Sequence, residues 1–244
     1  MNGYPVSRDS GLLVRVRQYE YGMHSTFEWL MKHRKPTGVR GSMSTAEKQK
    51  YNAVEYLERE RAATTRSEYY QGEVFSMAGA SREHNLIVTN CVGEFRNALR
   101  DRGCEIYPND MRVKIDASGL YTYPDVAIVC GEPRFEDGLF DTLINPLLVI
   151  EVLSESTERY DRGFKSAQYR LIPSLREIVL ISQYGPGVEC LAKQENGLWI
   201  LREQRDIDQS IFLESLQITI SLTEIYRQVV FTSRISPLLD HPPL

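Results

Sequence analysis

One stretch of the sequence constrains the fold more than any other: the apolar run from Leu147 to Leu153, which a single carboxylate, Glu151, interrupts. A continuous apolar run of this length is typical of a strand buried on both faces at the centre of a sheet. It is much shorter than the roughly 20 residues that a membrane-spanning helix needs, so we predict no transmembrane segment. Because an unpaired buried charge is costly, the carboxylate in this strand requires a partner or a function.

Patterns on either side of this strand predict helices and further strands. Residues 84–99 carry apolar side chains at every third or fourth position, as an amphipathic helix does, with Ser81 as its cap and Gly103 as its stop. Residues 104–115 and 120–129 flank a short Ala-Ser-Gly turn and predict a hairpin. The other predicted helices are 45–60, 160–171 and 221–229. The other predicted strands are 73–78, 176–182, 188–192, 198–202 and 211–213, of which the last three form a meander. A polar loop is predicted at 131–146, before the central strand. This order predicts an α/β (α+β) fold with a mixed central sheet flanked by helices.

The ends of the chain differ from its middle. The first 50 residues contain nine Lys or Arg against four Asp or Glu, and the first forty-odd have no clear hydrophobic period. Three interpretations stay open: a flexible extension, a basic arm that contacts phosphates, and a true start of the protein at Met43. We predict one folded domain at 44–230, after a flexible N-terminal extension at 1–43 and before a C-terminal tail at 231–244.

Charge and cysteine content narrow the class of protein. The chain has 29 Lys and Arg against 33 Asp and Glu, a net charge of −4, which excludes a polybasic nucleic-acid coat. Its four cysteines form no CxxC pair, which argues against a zinc ribbon or a thioredoxin-like motif. We expect these cysteines to be reduced core residues of a cytoplasmic protein. The N-terminal residues lack the apolar segment of a secretory signal.

Two carboxylates lie where packing alone would not place them. Asp125 follows Pro124 within an apolar strand, and Glu151 lies within the central strand. Carboxylates on neighbouring strands can hold a divalent cation such as Mg²⁺, which prefers oxygen ligands and keeps bound waters that can become nucleophiles. The alternative is that each carboxylate forms a structural ion pair or meets water at a strand end.

The helix predicted after Glu151 supplies a cation to the same region. It places Lys165, Gln168 and Tyr169 on one face together with Asp161. A lysine ammonium near a metal-bound water can stabilise charge that develops on a phosphoryl oxygen. The alternative is a solvated lysine paired with Asp161.

Several segments of this chain resemble a known family. Pro124-Asp125 followed by Glu151-Val152-Leu153 resembles the PD-(D/E)XK nuclease signature. The segments YYQGE at 69–73, ASREHN at 80–85, IEVLSESTERYDRGFKSAQYR at 150–170 and IPSLREI at 172–178 resemble the Uma-type restriction endonuclease family of that superfamily. The resemblance extends over about residues 44–230, with the motifs in the same order.

The resemblance implies a restriction-endonuclease-like core and a metal site. It implies that Asp125 and Glu151 bind the metal, with the backbone carbonyl of Val152 as a third ligand. It also implies that the catalytic lysine has moved from the strand, where this chain has Leu153, to the following helix as Lys165. Gln168, on the same helix, is then a helper. A second departure, Glu155 in place of the family's more common proline, changes the loop and removes no site group.

Two further residues have two interpretations each. Glu73 is either the acidic residue that the superfamily places near the metal from the N-terminal side or a strand-end charge. His84 is either a proton carrier or phosphate contact, since histidine titrates near neutral pH, or a locally bonded residue at the helix start.

These observations predict a Mg²⁺-dependent endodeoxyribonuclease, with Mn²⁺ as a possible substitute, that hydrolyses DNA phosphodiester bonds through a metal-activated water. Cleavage of both strands requires two sites, so the reaction and the family favour a homodimer. The alternative is a catalytically silent DNA-binding or interaction module that retains the nuclease fold, which Leu153 favours. A third interpretation is a nuclease that acts on RNA or branched DNA. No contact with a membrane is expected.

Overall fold

In the computed structural model, which describes residues 49–77 and 79–231, the strands form a six-stranded sheet, a five-stranded sheet and a two-stranded hairpin. The strands are β1 (Ser67–Tyr70), β2 (Glu73–Ser76), β3 (Cys104–Pro108), β4 (Arg112–Ile115), β5 (Leu120–Thr122), β6 (Val126–Cys130), β7 (Thr142–Leu143), β8 (Leu148–Leu153), β9 (Glu177–Ser182), β10 (Val188–Lys193), β11 (Trp199–Gln204), β12 (Ser210–Leu213) and β13 (Ile218–Ser221). The helices are α1 (Ala53–Ala62), α2 (Arg82–Ala98), α3 (Glu158–Tyr160), α4 (Ser166–Tyr169) and α5 (Leu222–Ile225), and a π-helical turn (Asp161–Lys165) joins α3 to α4. The predicted α+β class, with mixed sheets flanked by helices, is confirmed.

The apolar run around Glu151 forms the central strand β8, as its sequence predicts. The order of the six-stranded sheet is β11-β10-β9-β8-β6-β3, in which β8 pairs parallel with β9 and antiparallel with β6. All six residues of β8 are buried. Ile150 and Val152 face a core that α2 covers, whereas Val149 and Leu153 face a second core. This second core lies towards the five-stranded sheet, whose order is β2-β1-β5-β4-β7.

The predicted hairpin is divided between the two large sheets. β3 pairs with β6 in the six-stranded sheet, whereas β4 pairs with β5 in the five-stranded sheet. The uninterrupted strands predicted at 104–115 and 120–129 are therefore wrong. The breaks come after Pro108, where Asn109 adopts a left-handed backbone with φ +50°, and at Pro124. Proline has no N–H to donate to a sheet ladder, so both strands leave one sheet there and enter the other.

Two predicted helices have different ends in the structure. α1 begins at Ala53 rather than at residue 45, because Asn52 caps it and forms a capping box with Glu55. Residues 45–48 lie outside the described part. α2 begins after its predicted cap, Ser81, but ends at Ala98. Gly103, with φ +63°, belongs instead to the turn that leads into β3.

The last part of the described chain differs most from the prediction. β9, β10 and β11 form a meander, but β12 pairs with β13, a strand that was not predicted. The closing helix predicted at 221–229 is only the four residues of α5. The polar loop at 131–146 contains the two-residue strand β7, which pairs parallel with β4.

The cysteines also differ from expectation. Cys104 and Cys130 lie opposite each other on β3 and β6 and form a disulfide, with their Cα atoms 4.0 Å apart. Their expected reduced state is therefore wrong for this pair, whereas Cys91 and Cys190 are free and buried. The spacing of the cysteines in the sequence did not indicate this disulfide, because the two residues become neighbours only when β3 pairs with β6. Within the described residues, no helix is long and apolar enough to cross a membrane.

The predicted N-terminal extension at 1–43 lies outside the described residues, as does the predicted tail except for residue 231. The domain boundaries at 44 and 230 stay predictions.

Candidate active site

Strand register brings the two predicted metal ligands together. Val126 on β6 pairs with Ile150 on β8, so one further step along this antiparallel register places Asp125 opposite Glu151. Asp125 lies between β5, which ends at Thr122, and the first residue of β6, and therefore at the end of the sheet rather than inside it. The charge of Asp125 contributes to the raised pKa of Glu151, so the two carboxylates are near enough to interact, and their role as metal ligands stays a prediction.

The carboxylate of Asp125 is held from two directions. Its Oδ2 accepts a hydrogen bond from the backbone N–H of Val152 over 2.7 Å and lies 3.1 Å from Nε2 of His84. His84 is the third residue of α2, and its own backbone N–H donates to the capping hydroxyl of Ser81. His84 thus contacts a predicted metal ligand 41 residues away in the sequence, in addition to its local hydrogen bond at the helix start. Its other ring nitrogen, Nδ1, is buried without a hydrogen-bond partner among the described residues.

Glu151 is buried, with 3% of its surface exposed. Its Oε1 accepts hydrogen bonds from the ammonium of Lys165 over 3.1 Å and from the hydroxyl of Tyr169 over 2.5 Å. Burial raises the pKa of Glu151 well above its usual value, and the charge of Lys165 acts in the opposite direction. Burial and the neighbouring Glu151 also raise the pKa of Tyr169. The tyrosine therefore stays protonated and serves as a donor.

Lys165 reaches the site from the helical segment, not from the strand. Its Nζ lies 3.1 Å from Glu151, 3.1 Å from Glu68 and 3.5 Å from Asp161. Burial acts to lower the pKa of Lys165, but the neighbouring carboxylates, with Glu151 first, outweigh it and raise the pKa well above the usual value. The ammonium is therefore firmly charged. The alternative of a solvated lysine paired with Asp161 is wrong as to solvation, because Lys165 is buried, whereas the pairing with Asp161 is present.

Asp161 and Lys165 are the first and last residues of the π-helical turn. A π turn inserts one extra residue into a helix and changes which side chains share a face. Here it spans Asp161–Lys165, whose first and last side chains are both buried and within reach of each other. At the strand position where the superfamily motif has its lysine, the buried Leu153 packs in the second core instead.

Glu68 is the site residue that sequence reasoning missed. It lies on β1, is almost fully buried, and accepts hydrogen bonds from Thr122 over 2.6 Å and from Tyr160 over 3.0 Å. Strand β1 itself was not predicted. The available signal was a carboxylate in Ser67–Tyr70, a short segment with two tyrosines that precedes the turn at Gln71.

Glu73 lies on β2 opposite Tyr70 and is half-buried. The carboxylate from the N-terminal side that contacts Lys165 is Glu68. The predicted role of Glu73 near the metal stays a prediction.

Gln168 lies on α4, three residues after Lys165, with 3% of its surface exposed. Its side-chain oxygen Oε1 has no hydrogen-bond partner within the part of the chain that the structure describes. A buried amide oxygen without a partner costs roughly 1–3 kcal/mol, so its retention is consistent with a partner that binds later.

The donor set fits a hard divalent cation. Both hydrogen bonds to Asp125 end on Oδ2, and both hydrogen bonds to Glu151 end on Oε1. This leaves one oxygen on each carboxylate for a cation such as Mg²⁺, which binds few protein carboxylates and keeps several waters. Two carboxylates are fewer than a complete protein cage, and the described residues contain no cluster of three His, Cys, Asp or Glu arranged to hold a metal.

Comparison with known proteins identifies relatives over most of the chain. Residues 53–223 match the model of the Uma2 family, which carries the description "Putative restriction endonuclease". The uncharacterized protein sll1609 of Synechocystis sp. (strain ATCC 27184 / PCC 6803 / Kazusa) is 42% identical over 151 residues, which cover 62% of this chain and 85% of that protein. The uncharacterized protein slr1290 of the same organism is 32% identical over 182 residues, which cover 75% of this chain and 94% of that protein.

A solved structure shares the fold. The crystal structure of "a putative nuclease belonging to DUF820" from Anabaena variabilis ATCC 29413 superimposes with a TM-score of 0.58 at 18% sequence identity. The match covers 72% of this chain and 98% of that one.

Proposed function

The chain belongs to the Uma2 family of restriction-endonuclease-like proteins, and from that membership we propose that it is a metal-dependent endonuclease that hydrolyses DNA phosphodiester bonds. One observation carries the proposal. Asp125 immediately precedes β6, Glu151 lies on the neighbouring strand β8, and the ammonium of Lys165 is 3.1 Å from Glu151. Two carboxylates can hold the metal that activates a water, and a nearby lysine can stabilise charge that develops on the phosphate.

Asp125 and Glu151 would hold the cation, and the backbone carbonyl of Val152 is the proposed third ligand. The N–H of Val152 already faces Asp125. In an extended strand the N–H and C=O of one residue point to the same side, which supports that ligand. When bound, a divalent cation makes a water more acidic and neutralises charge on the phosphate. We propose Mg²⁺ as this cation, with Mn²⁺ as a substitute.

The other side chains orient these ligands and supply charge. His84 holds Asp125 through Oδ2, and Tyr169 fixes the rotamer of Glu151 through Oε1. Lys165 places a firmly positive charge beside Glu151; because its three N–H donors face carboxylates, it would stabilise charge on a phosphate through space and not by a direct hydrogen bond. The amide oxygen of Gln168, which has no partner among the described residues, can accept a hydrogen bond from a water and so orient it. Glu73 is kept as a further acidic group on the N-terminal side.

We further propose that the protein acts as a homodimer in the cytoplasm. A homodimer supplies one site for each strand of a duplex. RNA and branched DNA are the alternative substrates.

The contacts of Lys165 favour a second candidate function, a DNA-binding module that does not cleave. A lysine ammonium has three N–H donors, and three carboxylates already lie within 3.5 Å of it. A lysine that stays fully engaged in this way has no donor left for a phosphate.

Cleavage of supercoiled plasmid separates the two candidates. Purified wild type is incubated with Mg²⁺ or Mn²⁺ beside Glu151→Gln, which keeps the shape of the side chain but removes its charge. We expect wild type to nick or linearise the plasmid and the variant to lose at least a hundredfold in rate, the usual scale for loss of a metal-activated nucleophile. Equal cleavage by both proteins would show a contaminant or another site. Plasmid binding without cleavage by wild type would establish the silent module.

A further inference from the structure

The carboxylates around Lys165 form a closed cation site. Three carboxylate oxygens, from Glu68, Glu151 and Asp161, lie 3.1, 3.1 and 3.5 Å from its Nζ. A primary ammonium has three N–H donors, so the number of acceptors equals the number of protons. The side chain of Lys165 is 6% exposed, and water therefore contributes little to this arrangement.

Neighbouring hydroxyl groups hold two of the three carboxylates in place. Glu68 accepts from Thr122 and Tyr160, and Glu151 accepts from Tyr169. The third carboxylate, Asp161, lies four residues before Lys165 on the π-helical turn. Carboxylates that are oriented by buried donors form a rigid site, because each rotamer is fixed before the cation arrives.

The three carboxylates around Lys165 have the negative charge and the oxygen ligands of a divalent-metal site, but their distances from Nζ are those of hydrogen bonds to an ammonium. Three carboxylates face one positive charge, and carboxylate oxygens are also the ligands of Mg²⁺ and Mn²⁺. Metal–oxygen distances for Mg²⁺ are about 2.0–2.1 Å, shorter than the separations around Nζ. No three acidic, His or Cys side chains of the described residues are arranged for a metal, so the carboxylates around Nζ would have to move closer together to hold one.

We propose that Lys165 is the resident cation of the site formed by Glu68, Glu151 and Asp161, so that each active site takes up one divalent cation and not two. This inference rests on the proposed function, which assigns the single metal to Asp125 and Glu151. The ammonium occupies the position among Glu68, Glu151 and Asp161 that a second cation would need. Glu68 and Asp161 are then positioning residues for Lys165 and are not ligands of the catalytic metal.

Counting bound Mn²⁺ tests the inference without any activity assay. Free Mn²⁺ is measured by electron paramagnetic resonance while metal is titrated into the full-length protein. Wild type should bind one tight Mn²⁺ per chain, and Lys165→Ala should bind two, because the carboxylates lose their cation and can approach a metal. The double variant Lys165→Ala/Glu68→Gln should return to one.

Lys114 provides a matched control. Its ammonium also bridges two carboxylates, 3.0 Å from Asp116 and 2.8 Å from Glu136, but its side chain is 23% exposed and these residues lie apart from the site. Lys114→Ala should keep the wild-type count of one.

Each result has a distinct meaning. Two tight Mn²⁺ ions in wild type would overturn the inference but leave the nuclease proposal standing, as would one ion in both wild type and Lys165→Ala. No tight Mn²⁺ in wild type would overturn the metal site of the proposed function itself. A gain in Lys114→Ala equal to that in Lys165→Ala would show non-specific binding to exposed carboxylates and would also overturn the inference. Since wild type alone can give a refuting count, the test does not depend on the variant folding.

Discussion

Replacement of Lys165 by methionine tests whether the buried ammonium stabilises the fold as well as the site. Methionine keeps the length and the apolar stem of the side chain and removes only the charge. Three buried carboxylates then face each other without a cation. Removal of one partner from a buried ion pair costs about 3–5 kcal/mol, because the remaining charge stays buried and uncompensated.

The size of this loss should depend on pH. Burial raises the pKa of the carboxyls of Glu151 and Asp161 above the ordinary values of 4.5 and 3.8, and the charge of Lys165 partly opposes the shift. Without Lys165, these pKa values rise further. A carboxyl whose pKa is raised on folding favours the folded state below its unfolded pKa, and this contribution is lost as pH rises through the folded pKa.

The variant should therefore be least stable relative to wild type at neutral and alkaline pH. For each proton that the folded variant retains and the unfolded chain releases, the deficit grows by about 1.4 kcal/mol per pH unit. Urea unfolding in EDTA at pH 5.5 and 7.5, followed by tryptophan fluorescence, measures this difference. At pH 7.5 a loss of about 3–5 kcal/mol shifts the midpoint by about 1–2 M urea.

Lys114→Met is the matched control, since its partly exposed ion pairs should contribute less than about 1 kcal/mol. A loss below about 1 kcal/mol in Lys165→Met at both pH values would refute the reasoning. A large loss that is the same at pH 5.5 and 7.5 would show a packing defect instead of uncompensated charge.

Three further predictions follow from other contacts. Tyr169→Phe removes the donor to Oε1 of Glu151 and should lower the rate of metal-dependent plasmid cleavage by about tenfold, whereas an unchanged rate would show that the hydroxyl does not orient this ligand. Ser81→Ala removes the cap of α2 and should cost about 1 kcal/mol, seen in calorimetry as a Tm lower by roughly 2–4 °C, and an unchanged Tm would contradict the capping role. With the disulfide between Cys104 and Cys130 formed, the unfolded chain should have two reactive thiols before reduction and four after it. The length of the loop that this disulfide closes gives a stabilisation of about 3–4 kcal/mol. Four reactive thiols before reduction would show that the pair is not bonded in solution.

The parts of the fold that sequence predicted are those with a strong local pattern. The apolar run with its single carboxylate predicted β8, and the three-and-four spacing with Ser81 predicted α2 with its correct start. The antiparallel pairing of the two hairpin segments was predicted, but the division of each segment between two sheets was not. That division depends on where the chain changes sheets, and Pro108 and Pro124 show its position only once two sheets are known to exist.

The sequence indicated Asp125, Glu151 and Lys165 as candidate site residues but gave no indication of Glu68. Asp125 and Glu151 were conspicuous as charges in apolar strands, and Lys165 followed from helical spacing and from the family resemblance. Glu68 comes from a strand of four residues in the other sheet, and it reaches Lys165 through a pairing of β1 with β5. No local period shows which carboxylate of such a short strand is buried. The engagement of Lys165 by three carboxylates was equally invisible in the sequence.

The central claim is that Asp125 and Glu151 together hold the divalent cation on which cleavage depends. Crystals of the protein grown with Mn²⁺ test it most directly, because anomalous scattering locates the ion independently of any model. We expect one strong anomalous peak per chain, about 2.0–2.6 Å from a carboxylate oxygen of each residue as for hard divalent cations, that is absent in Asp125→Asn. A peak coordinated by other residues, or no peak between these two carboxylates at saturating Mn²⁺, would contradict it.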